Sequence, residues 1–423
     1  MMRGGDAPAR AEIQGAPLQP SAQEVATFQR LAATAPAASA AAVTTPARAL
    51  ATGTLDLDHI LRVGDHFEAP LGNGRTAVLT LDPTLQQLAE KLLNESRAPK
   101  GAIVAMAPDG RILALAGRRT EEPKGSREGT FDWHLATDVW APAASVFKLV
   151  TASALVAAGT DPSDKVCFHG GVRSVSESNL RDDKRDSRCE SLMFGVAHSN
   201  NAILGKLAYQ KLDPSALVDT AQQLGIAGAL PGTELVGTAG SITIPTTRDL
   251  DFAKTAAGFS SASAGSQLSV AGGALLAATF ADDGEQPIPH LIASIDGVAV
   301  PTPAKRRALS VEQARAVARM MVATCDSGSA AKSFGKHRDL KVAGKTGTLS
   351  TSKPFFMEHS WFVGFAPAES PQIIVSVLLG NAESWHLRGH EAARRMIDRA
   401  LDPATQREKD RIGQASVKKR ARW

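Results

Sequence analysis

Ser145 and Lys148 open the segment SVFKLVTASALVAA, which is apolar almost all round for four helical turns. Side chains three positions apart share a helix face, and the apolar neighbours would remove water from the lysine amine. A desolvated amine has a lowered pKa, so Lys148 could accept the proton of Ser145 and activate its hydroxyl as a nucleophile. The helix N-terminus adds backbone N–H groups where an oxyanion could form. The pair therefore indicates acyl transfer through a serine.

The S-x-x-K spacing is common, so it does not identify the nucleophile by itself. The chain contains four other matches, which are Ser329/Lys332, Ser333/Lys336, Ser350/Lys353 and Ser416/Lys419. Only Ser145 precedes both the one S-x-N of the chain, Ser199-Asn200-Asn201, and its one K-T-G, Lys345-Thr346-Gly347. The order of the three motifs therefore selects Ser145.

SVFK, SNN and KTGT, in this order and spacing, resemble the motif set of the penicillin-binding proteins. These serine acyltransferases crosslink peptidoglycan and are acylated by β-lactams. The resemblance extends over roughly residues 72–401. LTLDPTLQQLAEKLL and GAIVAMAPDGRILALAG look like the start of the transpeptidase domain, and HSWFVGFAP with IIVSVLLGN looks like its closing half.

The resemblance implies a role for each catalytic side chain. Ser145 would attack the carbonyl of a D-Ala-D-Ala stem peptide, with Lys148 as its base. Ser199 would pass the proton to the departing D-Ala, and Asn201 would hold Lys148 and the substrate amide. Lys345 would fix the charge across the cleft. The alternatives are a helix-capping hydroxyl at Ser199 and a solvated charge at a strand end for Lys345.

The rest of the K-T-G-T motif would bind the substrate. Thr346 and Thr348 would hydrogen-bond its terminal carboxylate, and the Thr348 N–H would join that of Ser145 in an oxyanion hole. Gly347 suits an edge strand that a peptide approaches closely. One departure from the family is Ala144, which stands where a glycine often precedes the nucleophile, so the turn into the helix could differ.

The elements around these motifs predict an α+β fold. Two apolar runs around Pro108-Asp109-Gly110 predict a hairpin, and residues 340–348, 360–366 and 372–379 are expected to be strands. Residues 84–95, 264–281 and 390–401 are expected to be helices, and residues 76–81 a further strand. The predicted fold is a five-stranded antiparallel sheet flanked by helices, and the family resemblance implies an all-helical subdomain beside it, as in β-lactamase/transpeptidase-like folds.

Composition divides the chain into three parts. Residues 1 to about 54 are rich in Ala, Pro and Thr and nearly lack large apolar side chains, which predicts a linker, with an Ala-rich helix as the alternative. The predicted units are a linker and lead-in (1–72), a penicillin-binding transpeptidase domain (73–401) and a basic tail (402–423).

The net charge of +4 belongs to the tail. From Gln406 onward seven cations face two anions, so this stretch carries +5 and the preceding 405 residues carry −1. Aromatic residues make up only 5% of the chain, too few for the stacking platforms of single-strand binders. We therefore expect no nucleic-acid partner.

The three cysteines fit neither a disulfide framework nor a zinc site of the C-x-x-C type. Cys167 and Cys189 could pair in an oxidising compartment, but the sequence does not give their Cα distance. Cys325 is expected to be a buried small apolar side chain. His169, His198 and His359 lack ligand spacing, so we expect no metal, and no cofactor is implied.

The chain shows no run of about 20 apolar residues and no apolar export segment near its N-terminus. The sequence itself thus predicts neither a membrane span nor a signal peptide. A periplasmic or cell-envelope location follows only from the family resemblance.

The resemblance implies peptidoglycan stem peptides as substrates, β-lactams as covalent inhibitors and cell-wall synthesis proteins as possible partners. Two other functions use the same fold. A D,D-carboxypeptidase or β-lactamase would resolve the acyl-enzyme with water, but no E-x-x-L-N, which positions that water in class A β-lactamases, lies between Ser199 and Lys345. A β-lactam sensor without turnover would keep all of the motifs.

Overall fold

The computed structural model of the chain describes residues 54–120, 122–232, 234–261, 264–335 and 340–403. Nearly all of the predicted linker, residues 1–53, and of the basic tail, residues 404–423, lies outside the described residues.

The elements are numbered here in chain order. The strands are β1 (Leu61–Val63), β2 (His66–Leu71), β3 (Arg75–Leu79), β4 (Lys100–Met106), β5 (Ile112–Arg119), β6 (Thr130–Phe131), β7 (Lys165–Phe168), β8 (Arg188–Ser191), β9 (Gly228–Ala229), β10 (Thr238–Thr243), β11 (Gly265–Leu268), β12 (Glu285–Gln286), β13 (Ile292–Ile295), β14 (Val298–Ala299), β15 (Arg306–Arg307), β16 (Ala343–Thr351), β17 (Met357–Ala366) and β18 (Ile373–Asn381). The helices are α1 (Pro83–Ser96), α2 (His134–Thr137), α3 (Lys148–Ala157), α4 (Leu192–Ala197), α5 (Asn201–Lys211), α6 (Pro214–Gln223), α7 (Leu250–Ala256), α8 (Val270–Ala281), α9 (Val311–Asp326), α10 (Ala331–Phe334) and α11 (Gly389–Leu401). Short 3-10 helices span Leu57–His59, Ala144–Phe147 and Glu177–Asn179.

The central sheet has the order β16-β17-β18-β4-β5-β6, and every neighbouring pair is antiparallel. Its five long strands are the five that the sequence predicts, and β6 adds two residues at the far edge. The α+β fold is therefore confirmed. Because β16 is the opposite edge strand, it pairs with only one strand, β17, among the described residues.

Helices cover both faces of this sheet, which explains why its inner strands are apolar on both sides. All nine residues of β18 are buried. On one face α1 and α11 pack with side chains such as Leu85 and Ile397, each 0% exposed. On the other face lies α8, whose residues from Val270 to Phe280 are all buried.

Two boundaries differ from the sequence prediction. The helix expected over 264–281 begins only at Val270, because Ser269 caps it by accepting the Gly272 N–H at 3.0 Å and the preceding residues form β11. The domain start expected at 73 lies inside a hairpin, since Leu71 of β2 pairs with Arg75 of β3. Strands β1 and β2 thus belong to a folded sheet of order β1-β2-β3-β13-β14.

The helical subdomain comprises α3 to α7 and also contains the hairpin of β7 and β8. Cys167 and Cys189 lie opposite each other in this hairpin and form a disulfide, with 3.9 Å between their Cα atoms. The pairing that the sequence left open is therefore present. Cys325 is 2% exposed, as expected of a small apolar side chain. No helix among the described residues is both long and apolar enough to cross a membrane.

Candidate active site

Ser145 lies in the 3-10 turn Ala144–Phe147 directly before α3, and Lys148 is the first residue of that helix. The Lys148 Nζ atom is 2.7 Å from the Ser145 Oγ atom. The three-residue spacing thus brings the two side chains within hydrogen-bond distance, as predicted. Ala144 has φ +49°, a left-handed conformation that L-residues other than glycine, asparagine and aspartate seldom adopt.

Lys148 is 0% exposed. Besides Ser145, its Nζ atom donates to the Ala257 carbonyl at 2.6 Å. Burial lowers the pKa of Lys148 well below that of an ordinary lysine, and the nearby charge of Lys345 lowers it further. The amine is thereby favoured in its neutral form, which can accept the serine proton.

Ser199 joins α4 to α5 and has φ +56°. Its Oγ atom accepts a hydrogen bond from Lys345 Nζ at 3.1 Å. Asn200, the middle residue of the motif, caps α5 by accepting the Ile203 N–H at 3.2 Å. The helix cap therefore belongs to Asn200, and the hydroxyl of Ser199 faces the lysine of the third motif.

Asn201 is the first residue of α5. Its Nδ2 atom donates to the Arg173 carbonyl at 2.7 Å, and its backbone N–H donates to the Val172 carbonyl at 2.8 Å. Its Oδ1 atom is buried without a hydrogen-bond partner among the described residues. Over the same part of the chain no hydrogen bond joins Asn201 to Lys148, so the contact implied by the family resemblance does not occur in this state.

Lys345 lies on the edge strand β16 and is 0% exposed. Its Nζ atom also donates to the Thr346 carbonyl at 2.9 Å. Burial lowers the pKa of Lys345 to about 7. The alternative of a solvated charge at a strand end is therefore wrong, because this lysine bridges β16 to Ser199.

The residues after Lys345 form the open edge of the sheet. Thr348 is exposed and Thr346 half-buried. A Cβ atom on Gly347 would lie 3.3 Å from the Ala143 carbonyl oxygen and 3.2 Å from the Trp361 Cβ atom. The glycine thus lets the strand pass close to the turn that carries Ser145.

Two contacts of the site escaped the sequence prediction. The Ala257 carbonyl binds Lys148, and a backbone acceptor has no side-chain signature. The next residue, Gly258, gives an indirect signal, since a Cβ there would lie 2.3 Å from the Ala144 carbonyl oxygen. Ser329 belongs to a rejected S-x-x-K match, yet its hydroxyl is 2.7 Å from that of Thr346.

A metal site is not evident in this part of the molecule. Among the described residues no three His, Cys, Asp or Glu side chains are grouped so that they could hold a metal ion. The chemistry open to the assembled groups is that of a serine hydroxyl, a buried amine of lowered pKa, a second hydroxyl and a second lysine.

Comparison with known proteins agrees with this arrangement. Residues 101–400 match the penicillin-binding protein transpeptidase domain family. The chain is 27% identical over 356 residues to the peptidoglycan D,D-transpeptidase PbpA of Mycolicibacterium smegmatis, an alignment that covers 75% of this chain and 70% of that protein. It is 26% identical over 321 residues to the probable peptidoglycan D,D-transpeptidase PenA of Neisseria flavescens, covering 73% of this chain and 76% of the relative.

Solved structures share the fold. The penicillin G acyl-enzyme complex of penicillin-binding protein A from M. tuberculosis superposes with a TM-score of 0.59 at 22% identity, covering 79% of this chain and 81% of the other. Penicillin-binding protein 2B of Streptococcus pneumoniae gives a TM-score of 0.62 at 18% identity, covering 79% of this chain and 61% of the other. With the matched domain spanning most of the described residues, the chain belongs to the penicillin-binding protein transpeptidase family.

Proposed function

We propose that this protein is a peptidoglycan D,D-transpeptidase that forms an acyl-enzyme on Ser145. The observation that carries the proposal is the 2.7 Å contact between Ser145 Oγ and a fully buried Lys148 amine. Among the described residues this amine has no carboxylate partner, so it can act as a base rather than as half of an ion pair.

Acylation begins when the Ser145 hydroxyl gives its proton to Lys148 and its Oγ atom bonds to the carbonyl carbon of the penultimate D-Ala. The backbone N–H groups of Ser145 and Thr348 would hold the oxyanion that forms. When the intermediate collapses, the carbon–nitrogen bond to the last D-Ala breaks. The proton taken by Lys148 reaches the leaving nitrogen through the Ser199 hydroxyl.

The second half of the reaction reverses these transfers. An amine of a neighbouring stem peptide attacks the acyl carbon and gives up a proton to Lys148. The ester bond to Ser145 breaks, and the proton returns to Oγ. Each time Lys148 becomes an ammonium it gains an N–H that needs an acceptor, and the unpartnered Oδ1 atom of Asn201 would supply one.

The open edge of β16 suits the peptide that must be bound. An extended chain can pair with an exposed strand edge, and Gly347 presents no side chain there. Thr346 and Thr348 would donate to the terminal carboxylate, and Lys345 would provide the positive charge that attracts it. A pKa of about 7 leaves part of the Lys345 population charged at neutral pH.

The same groups account for β-lactams as covalent inhibitors, because their strained amide presents a carbonyl and a carboxylate to the same residues. The relatives are named as enzymes of peptidoglycan, a substrate outside the cytoplasm, which supports a periplasmic or cell-envelope location. Proteins of cell-wall synthesis are the partners that this location would offer.

The test supplies a D,D-pentapeptide to the purified protein, with and without an amine acceptor, and identifies the products by mass spectrometry. A transpeptidase gives a crosslinked product that appears only with the acceptor, together with free D-Ala. Release of the tetrapeptide acid alone, in the presence of a competent acceptor, would identify a carboxypeptidase and exclude the crosslinking activity. Acylation that never turns over would identify a sensor.

A further inference from the structure

Lys206 is a fully buried lysine that the proposed reaction does not use. It lies on α5, the helix that begins at Asn201. Its Nζ atom donates to the Asp186 Oδ2 atom at 2.6 Å and to the Cys167 carbonyl at 2.8 Å, and it lies 3.1 Å from the Asp182 Oδ1 atom. Asp186 is itself only 7% exposed, and its other oxygen is 2.6 Å from His169 Nδ1. A buried ammonium is tolerated only with such partners, so the cluster is a built feature.

Two partners of Lys206 lie at the ends of one segment, and the third, Asp182, lies inside it. Residues 169–187, here called the disulfide loop, connect β7 to β8 and are closed at their base by the Cys167–Cys189 disulfide. Cys167 precedes the loop and Asp186 stands near its end. One ammonium group therefore fixes the entry and the exit of the loop against α5.

The first part of the same loop contacts Asn201. The Val172 carbonyl accepts its backbone N–H, and the Arg173 carbonyl accepts its side-chain Nδ2. Val175 packs against α5 so closely that a Cβ atom on Gly205 would lie 2.9 Å from its Cγ1 atom. These contacts fix the rotation of the Asn201 amide, which leaves Oδ1 as the unpartnered acceptor.

We infer that Lys206 is a positioning residue for the acyl transfer, which acts through the disulfide loop on the amide of Asn201. The inference rests on the proposed function, since Asn201 matters only if the site acylates. Without the Lys206 ammonium, Asp186 is a buried carboxylate that has lost its cation, and the loop ends separate from α5. The carbonyls of Val172 and Arg173 then move, and the Asn201 amide loses its fixed orientation.

The test measures the second-order rate of acylation by a fluorescent penicillin. Lys206→Met is compared with Arg185→Met, which removes a cation of the same loop whose ion pair with Asp183 is 55% and 28% exposed. Both substitutions are made in the wild-type protein and in an Asn201→Ala background. Circular dichroism checks that each variant is folded. For variants that react slowly, intact-mass analysis measures the acylated fraction over time.

We expect Lys206→Met to slow acylation between about 10-fold and 100-fold in the wild-type background, the range that misplacing a catalytic group produces. In the Asn201→Ala background the same substitution should change the rate less than about twofold, because the side chain it positions is gone. Arg185→Met should leave the rate unchanged in both.

Equal slowing by Lys206→Met in both backgrounds would show a general structural role and would overturn the inference. An unchanged acylation rate in both backgrounds would also overturn it. If Lys206→Met does not fold, the double variant Cys167→Ser/Cys189→Ser loosens the same loop and is read by the same comparison. A wild-type protein that is never acylated would refute the proposed function instead, so the two failures are distinguishable.

Discussion

Replacing Lys345 with methionine should stabilise the protein below about pH 7 while abolishing its activity. Lys345 is fully buried, and its hydrogen bonds go to the Ser199 hydroxyl and the Thr346 carbonyl, neither of which is an anion. Burial lowers its pKa from 10.5 to about 7. The folded state therefore bears the cost of holding this group charged at low pH.

The sign of the pH dependence follows from where the proton is held. Below about pH 7 Lys345 is charged in the folded and in the unfolded chain, so the cost is fully present. Between about 7 and 10.5 only the unfolded chain holds the proton, so the free energy of unfolding rises with pH. At about 1.4 kcal/mol for each pH unit, the full cost is about 5 kcal/mol.

Methionine removes this cost but also loses two hydrogen bonds, at about 1 kcal/mol each. The variant should therefore be more stable than the wild type by about 3 kcal/mol near pH 6, and the difference should vanish near pH 9. The charge of Lys345 also lowers the pKa of Lys148. Removing that charge raises the pKa of Lys148 again, which further stabilises the variant at low pH.

Urea unfolding of both proteins near pH 6 and near pH 9 measures the two differences. Lys341→Met is the matched control, because its side chain is 62% exposed and should leave the pH dependence unchanged. The reasoning fails if Lys345→Met changes the stability by the same amount at both pH values, or if the wild type is the more stable protein near pH 6.

Three further predictions concern stability. Ala144→Gly should raise the free energy of unfolding by about 1 kcal/mol without slowing acylation, because glycine adopts φ +49° without steric cost; a destabilised variant would contradict this. Cys167→Ser/Cys189→Ser should lower the free energy of unfolding by about 3 kcal/mol, since the disulfide closes a loop of sequence separation 22. An unchanged urea midpoint would show that the disulfide does not stabilise the protein. Burial lowers the pKa of His359 from 6.5 to about 4. Acidification across this range should therefore lower the free energy of unfolding of the wild type by about 3 kcal/mol more than that of His359→Gln. The control His59→Gln changes an exposed side chain and should behave as the wild type.

Local signals in the sequence were enough to predict the close approach of Ser145 to Lys148 and the central sheet. Ser145 and Lys148 are three residues apart, so helical geometry alone brings them together. The hairpin around Asp109 and the apolar run of β18 are equally local, because turn chemistry and strand periodicity act over a few residues. These parts of the prediction agree with the structure.

Contacts between distant backbone atoms could not be predicted. The acceptor of Lys148 is a carbonyl 109 residues away, and that of the Asn201 side chain is a carbonyl 28 residues away. A carbonyl is present at every residue, so no side chain marks these two, and Gly258 gives only an indirect signal for the first. The helix expected from residue 264 failed for a related reason, since Gly265–Leu268 is recruited into a sheet by its pairing with β10.

The central claim is that Ser145 is the nucleophile of a penicillin-acylated transpeptidase. Its most direct test is intact-mass analysis after incubation with benzylpenicillin, followed by peptide mapping, for the wild type and Ser145→Ala, with Ser333→Ala from another S-x-x-K match as control. The account predicts one covalent adduct on the peptide that contains Ser145, in the wild type and in Ser333→Ala, and none in Ser145→Ala. An adduct of equal yield in Ser145→Ala, or one mapped to another serine, would contradict it.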